Sequence, residues 1–167
     1  MKADIERAAR SPMLWDANAS LYIVDTPAAK VVVGHCTGKS TALKGTEFAV
    51  KANERNFAVM TLNAVDGRPL ENSRKLLLVA AGNVENTGMG WNADHTTVGT
   101  HWGTAPTVCE GIAMKAKLTT TAKSARVYAL SGDGARAEEV PSTLSGGRLS
   151  FEIGPRFKTL WYEIVAE

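Results

Sequence analysis

After Pro12 the apolar residues of this chain recur at every second position, and that period limits the fold more than any other feature. Leu21 and Ile23 alternate with Ser20 and Tyr22, and Val31 and Val33 with Lys30 and Val32. Ala58, Met60, Leu62 and Ala64 share one face, while Thr61 and Asn63 take the other. Ile112, Met114, Ala116 and Leu118 alternate with Lys115 and Lys117, and Leu149, Phe151 and Ile153 with Ser150 and Glu152. Successive side chains of an extended strand point to opposite sides, so such runs form half-buried strands. The stretch 76–81 is continuously apolar, which predicts a central strand covered on both sides. Turn signals separate the runs: Asp25-Thr26-Pro27, Asp66-Gly67-Arg68-Pro69, Ser131-Gly132-Asp133-Gly134, Ser145-Gly146-Gly147 and Gly154-Pro155. Roughly ten strands follow from this spacing, and no helical period longer than about two turns appears after Pro12. The expectation is an all-β chain folded as an antiparallel two-sheet β-sandwich, jelly-roll-like, in preference to a barrel.

Residues 1–11 read as a short exposed helix or a linker, stopped by Ser11-Pro12. They lack the apolar stretch of a secretory signal peptide. They are either the start of a cytoplasmic protein or a linker in a larger chain, and the second is preferred. The sandwich domain is then 12–167. With 167 residues, 44% hydrophobic and 22% charged, the chain suits one folded domain and neither a disordered segment nor a coiled coil. No apolar run approaches the roughly 18 residues of a membrane helix. The net charge is +2, from 19 basic and 17 acidic residues. The basic residues are scattered, with no cluster longer than Arg74-Lys75, so neither nucleic acid nor membrane is an expected partner. Two cysteines cannot make a disulfide-dense scaffold. Cys36 and Cys109 are open to two readings, one disulfide or two free thiols.

One stretch breaks the strand pattern. Residues 82–106 read GNVENTGMGWNADHTTVGTHWGTAP, with five glycines, three asparagines, two histidines and two tryptophans. A polar loop of that length is functional or disordered, and its aromatic content argues against disorder. A pyranose ring has an apolar C–H face that stacks on an aromatic ring and a rim of hydroxyls that polar side chains meet. Trp91 and Trp102 are the candidate stacking platforms, and Glu85, Asn86, Asn92, Asp94, His95 and His101 the candidate hydroxyl partners. Trp15 is expected in core or edge packing. Trp161 lies on a strand face with Glu163, opposite Leu160, Tyr162 and Ile164; it is either a further platform or covered by the N-terminal segment or by a neighbouring domain.

The catalytic and metal readings are weaker. His95 and His101 are six residues apart, not the four of a helical metal pair, and the cysteines form no C-x-x-C. No metal site and no cofactor are expected, although a structural calcium held by loop carboxylates and carbonyls is compatible with a sandwich. No D-x-D-x-D-G loop locates one. There is no G-x-S-x-G elbow, and 34–40 has the wrong glycine spacing for a phosphate loop. Glu85 and Glu110 are the candidates for paired hydrolytic carboxylates. No motif positions an acid and a base, so the chain is not expected to be an enzyme.

The set Arg74-Lys75-Leu76-Leu77-Leu78-Val79, Glu85-Asn86-Thr87-Gly88-Met89, Trp102-Gly103-Thr104-Ala105-Pro106, Val127-Tyr128-Ala129-Leu130 and Thr159-Leu160-Trp161-Tyr162-Glu163 resembles the β-sandwich domains that follow catalytic barrels in bacterial polysaccharide-degrading glycoside hydrolases. Trp15-Asp16 and Val24-Asp25-Thr26-Pro27 fit the opening of such domains, so the likeness runs from residue 12 onward. It implies a non-catalytic module, tethered to a glycoside hydrolase domain and secreted or cell-surface as part of a larger enzyme. The leading expectation is a carbohydrate-binding module for a β-linked plant polysaccharide of the β-glucan class, such as cellulose. Its site would be Trp91, Trp102, Glu85, Asn86, Asn92 and His101, assigned from loop chemistry and not from the resemblance. The alternatives are a structural sandwich that packs on the barrel with no ligand of its own, and a small hydrolase or lyase on a sandwich.

Overall fold

The computed structural model describes residues 12–167; the helix or linker expected at 1–11 lies outside the described residues. The described residues form fourteen strands: β1 (Met13–Asp16), β2 (Leu21–Asp25), β3 (Ala29–Gly34), β4 (Ser40–Leu43), β5 (Thr46–Val50), β6 (Ala58–Ala64), β7 (Lys75–Thr87), β8 (Thr104–Gly111), β9 (Met114–Thr119), β10 (Ala125–Leu130), β11 (Arg136–Val140), β12 (Ser142–Ser145), β13 (Arg148–Ile153) and β14 (Trp161–Ala166). A large nine-stranded sheet runs β1-β2-β3-β6-β7-β14-β10-β11, with β8 paired to the far half of β7. A small sheet runs β12-β13-β9-β5-β4. All pairings are antiparallel. Among the described residues both sheets end in edge strands that do not pair with each other, so the architecture is a sandwich and not a closed barrel.

The period-2 residues form the core between the sheets. Met60, Leu62, Leu76, Leu78, Tyr162 and Ile164 of the large sheet face Phe48, Met114, Leu118, Leu149 and Phe151 of the small one, all buried. Each such side chain contributes on the order of 1.5–3 kcal/mol of transfer free energy. In β3 the inward residues are Lys30 and Val32, while Val31 and Val33 point outward. Lys30 is tolerated inside because it lies at the end of the sandwich. Its ammonium pairs with Asp25 and donates to the Thr26 carbonyl at 2.7 Å. The second Asp25 oxygen accepts from the backbone N–H of Lys44 at 2.8 Å, which ties the large sheet to the β4–β5 turn of the small one.

β7 is the central strand, paired with β6 on one side and β14 on the other. Its inward face is buried, but the expectation of cover on both sides is not met: among the described residues no layer lies on the outer face. Register partners share a face, and two unbroken rows cross it. One runs Trp15, Tyr22, Val33, Val59, Ala81, and the other Met13, Val24, Val31, Thr61, Val79, Trp161. Trp15, expected in core or edge packing, is on the edge strand but outside the core, with 79% of its surface exposed. Trp161 shares the outer face with Glu163, as the alternation predicts, and is 41% exposed.

Candidate functional site

The 82–106 stretch is less of a loop than its composition suggests. Residues 82–87 complete β7, 104–106 open β8, and a lobe of 88–103 joins them. The hairpin begins with a bulge. Ala81 pairs with Gly111 but Val84 with Cys109, so Gly82 and Asn83 together oppose Glu110. A bulge reverses which side chains face which way beyond it. It turns Val84 and Cys109 to the outer side and Glu85 and Val108 to the side of the β5–β6 connection.

Arg55 in that connection organises the site. Its Nη2 donates to Glu85 Oε2 at 2.9 Å, and its guanidinium lies 5.1 Å from the centroid of the Trp91 ring. The same Glu85 oxygen accepts from Trp91 Nε1 at 2.8 Å. With its amide oxygen turned toward the guanidinium, Asn83 accepts from Arg55 Nη1 at 2.8 Å. The His95 ring sits 5.9 Å from Trp91 on the lobe. Trp91 is therefore half-buried and clamped, a cation–π and hydrogen-bond partner more than an open platform.

The lobe is cross-braced. Gly90 N–H donates to the His101 carbonyl at 2.9 Å, Asn92 N–H to Thr97 at 3.0 Å, and His101 N–H to Val98 at 2.8 Å. Asn92 Oδ1 accepts from the backbone of Thr96 and Thr97 at 2.8 and 3.2 Å. Asn86 Nδ2 donates to the Trp102 carbonyl at 3.0 Å, and its Oδ1 accepts from the Thr107 hydroxyl at 2.8 Å. Gly103 has φ +68°, and a Cβ there would stand 2.6 Å from the Thr87 carbonyl oxygen, so the close crossing after Trp102 requires glycine.

The six sequence-derived residues thus divide. Glu85 and Trp91 are joined directly; Asn86 holds the backbone of Trp102; Asn92 shapes its own turn. Trp102 is 64% exposed, and neither it nor the exposed His101 makes a side-chain hydrogen bond among the described residues. Asp94 and His95 are exposed at the tip. Glu85 and Glu110 do line one cavity of about 300 Å³, together with Glu54, Arg55, Asn83 and Val108. Glu110 accepts from the Asn83 N–H at 3.3 Å, and Glu85 serves Arg55 and Trp91. Arg55 was not foreseeable: it stands 30 residues before Glu85, in a segment with no motif.

Cys36 and Cys109 are both free, the first buried and the second exposed, so the disulfide reading gives way to the thiol one. Burial pushes the Cys36 thiol pKa up; burial and then the Glu110 charge do the same for Cys109. Among the described residues no three His, Cys, Asp or Glu side chains cluster so as to hold a metal ion, and the calcium expectation gains no location. Comparison with protein-family models, curated proteins and solved structures finds no match.

Proposed function

We propose that this chain is a non-catalytic carbohydrate-binding module for a β-linked polysaccharide of the β-glucan class, with Trp102 as its stacking surface. The observation that carries the reading is an indole 64% exposed on a lobe whose backbone is braced on both sides of it. An ordered aromatic offers apolar contact without a large ordering cost on binding. His101 beside it supplies a hydroxyl partner, and the exposed Asp94 and His95 extend the polar rim. Glu85, Asn86 and Asn92 act as supports for that surface, since their polar atoms already serve the protein. Trp91 offers an edge at most. Each hydrogen bond to a sugar hydroxyl adds only about 1 kcal/mol net, because water competes. Affinity is thus modest and carried mainly by stacking. In its native setting the module is tethered to a glycoside hydrolase domain in a secreted or cell-surface enzyme.

A second reading, a structural sandwich with no ligand of its own, is favoured by the internal use of Glu85, Asn86 and Asn92. Native electrophoresis through gels containing β-glucan, cellulose derivatives and unrelated polysaccharides separates the two. Retardation that Trp102→Ala removes supports the module; unchanged mobility in every gel supports the structural domain. Release of reducing sugars by the pure chain, abolished by Glu85→Gln or Glu110→Gln, would overturn both.

A further inference from the structure

On the outer face of the small sheet, some cations are paired and others are not. Lys117 and Arg148 both reach Glu47, at 3.0 and 3.8 Å, and the Ser40 hydroxyl donates to the same carboxylate at 2.9 Å. Beyond them Arg156 pairs with Glu138 at 3.2 Å. Lys39, Lys51 and Lys115 are exposed and form no ion pair among the described residues. Glu152 is the register partner of Lys115 on β13 but does not pair with it. The three lysines line one open cavity of about 470 Å³, whose other walls include Gly38, Ser40 and Ala49 and no acidic residue. Lys39 leads into β4, and its carbonyl accepts from the Val50 N–H at 2.9 Å. Lys51 follows β5, and its N–H donates to the Ala113 carbonyl at 2.9 Å. Lys115 on β9 lies opposite Ala49. Lys51 and Lys115 are therefore diagonal neighbours, about 7–8 Å apart. Cations scattered along the sequence thus converge on three adjacent strands.

We propose that this patch binds an acidic polysaccharide, one that carries carboxylate or sulfate groups. Unpaired like charges held close together repel one another. An anion set among them removes that repulsion and gains charge-assisted hydrogen bonds. The small side chains between the lysines leave room for sugar rings beside the charged groups. Three flexible point charges on an open shelf suit a polymer, whose weak contacts add up along one chain, better than a single free ion. Nucleic acid is the poorer occupant, because no aromatic or arginine side chain lines the cavity to stack a base. An anionic membrane is poorer too: three lysines with no exposed aromatic or long aliphatic side chain among them fall short of stable anchoring. The patch belongs to the small sheet and the lobe to the large one, so neither depends on the other.

Chromatography of the full 167-residue chain on immobilised pectate and on dextran sulfate tests this, with neutral dextran as the blank. The parent should be retained on at least one acidic polymer at low ionic strength and released as salt shortens the screening length to about 8 Å or less. Lys39→Gln, Lys51→Gln and Lys115→Gln should each weaken binding by about two- to fivefold, with unchanged far-ultraviolet circular dichroism. The triple variant should pass through unretained. A charge-matched control, Arg74→Gln with Lys123→Gln and Lys158→Gln, alters exposed cations elsewhere and should stay retained. Trp102→Ala should also stay retained, which keeps this result separate from β-glucan binding at the lobe. A parent that neither acidic polymer retains overturns the proposal. So does retention that the folded triple variant keeps, that the control loses equally, or that Trp102→Ala abolishes. Tighter binding of single-stranded DNA or phosphatidylserine vesicles than of either glycan, lost in the triple variant, would assign the patch to another polyanion and overturn it as well.

Discussion

Replacing Asp25 by alanine should be among the most damaging changes to this fold made outside the apolar core. Lys30 is an inward residue of β3 whose side chain is 4% exposed, and Asp25 is its counter-charge. Alanine at 25 would leave the ammonium with only the Thr26 carbonyl and would also release the Lys44 N–H that links the two sheets. Removing one partner of a buried ion pair costs about 3–5 kcal/mol, because the remaining charge is uncompensated. Asp25 is itself 26% exposed, and a cavity of about 510 Å³ beside the pair admits water. The cost therefore belongs near the lower end, about 3 kcal/mol. For a domain of this size about 2–4 °C of Tm accompanies each kcal/mol, so a fall of roughly 6–12 °C is expected. Urea unfolding followed by tryptophan fluorescence and circular dichroism measures it, with an unchanged m-value showing that the mutant unfolds by the same transition. The double change Asp25→Ala with Lys30→Met removes the orphaned charge and should recover at least about 2 kcal/mol relative to Asp25→Ala alone. A loss below about 1 kcal/mol for the single mutant, or a double mutant no more stable than it, would refute the claim that an uncompensated buried charge is the cause.

Trp91→Ala should lower stability by about 1–2 kcal/mol through the lost bond to Glu85 and the lost stacking on Arg55, whereas Trp102→Ala should leave chemical denaturation almost unchanged. Burial alone would raise the Glu163 pKa, but the bonds from Arg136 and Lys75 outweigh it and leave it lowered. A depressed carboxylate stabilises above its unfolded pKa of about 4.3 and stops doing so as pH falls through the folded value. Glu163→Gln should therefore cost stability at pH 7, and the difference from the parent should narrow below about pH 4, as parallel melting curves would record. A maleimide or iodoacetamide should label Cys109 well before Cys36 under native conditions, with both sites equal in denaturant, as mass spectrometry of the peptides can show. Faster labelling of Cys36 would contradict its placement in the core.

The strands were legible because one physical rule, alternation across a half-buried sheet, governs most of them. Met114, Ala116 and Leu118, and Leu149, Phe151 and Ile153, are inward as their spacing requires. Alternation alone does not say which set faces in where both sets are apolar, and β3 inverts the simple reading by burying Lys30. An aliphatic run such as 76–81 means that both faces of a strand are apolar; whether a second layer covers them is decided by tertiary packing, which the run itself does not encode. Trp15 illustrates the same limit, since its neighbours on β1 and β2 are apolar but nothing in the described residues lies over them. At the lobe, composition located the segment and its unusual glycines. It did not separate the presented side chains from the bracing ones. That division arises from hydrogen bonds fixed by the Gly82–Asn83 bulge and from Arg55, both set by tertiary contact.

The central claim is that Trp102 on its braced lobe presents the chain to a polysaccharide, and the most direct measurement is affinity electrophoresis of the parent and Trp102→Ala side by side in β-glucan gels. The parent should be retarded in proportion to polysaccharide concentration, and Trp102→Ala should migrate as in a blank gel while keeping the parent's denaturation curve. A parent whose mobility no polysaccharide changes, or a Trp102→Ala variant retarded as strongly as the parent, would contradict it.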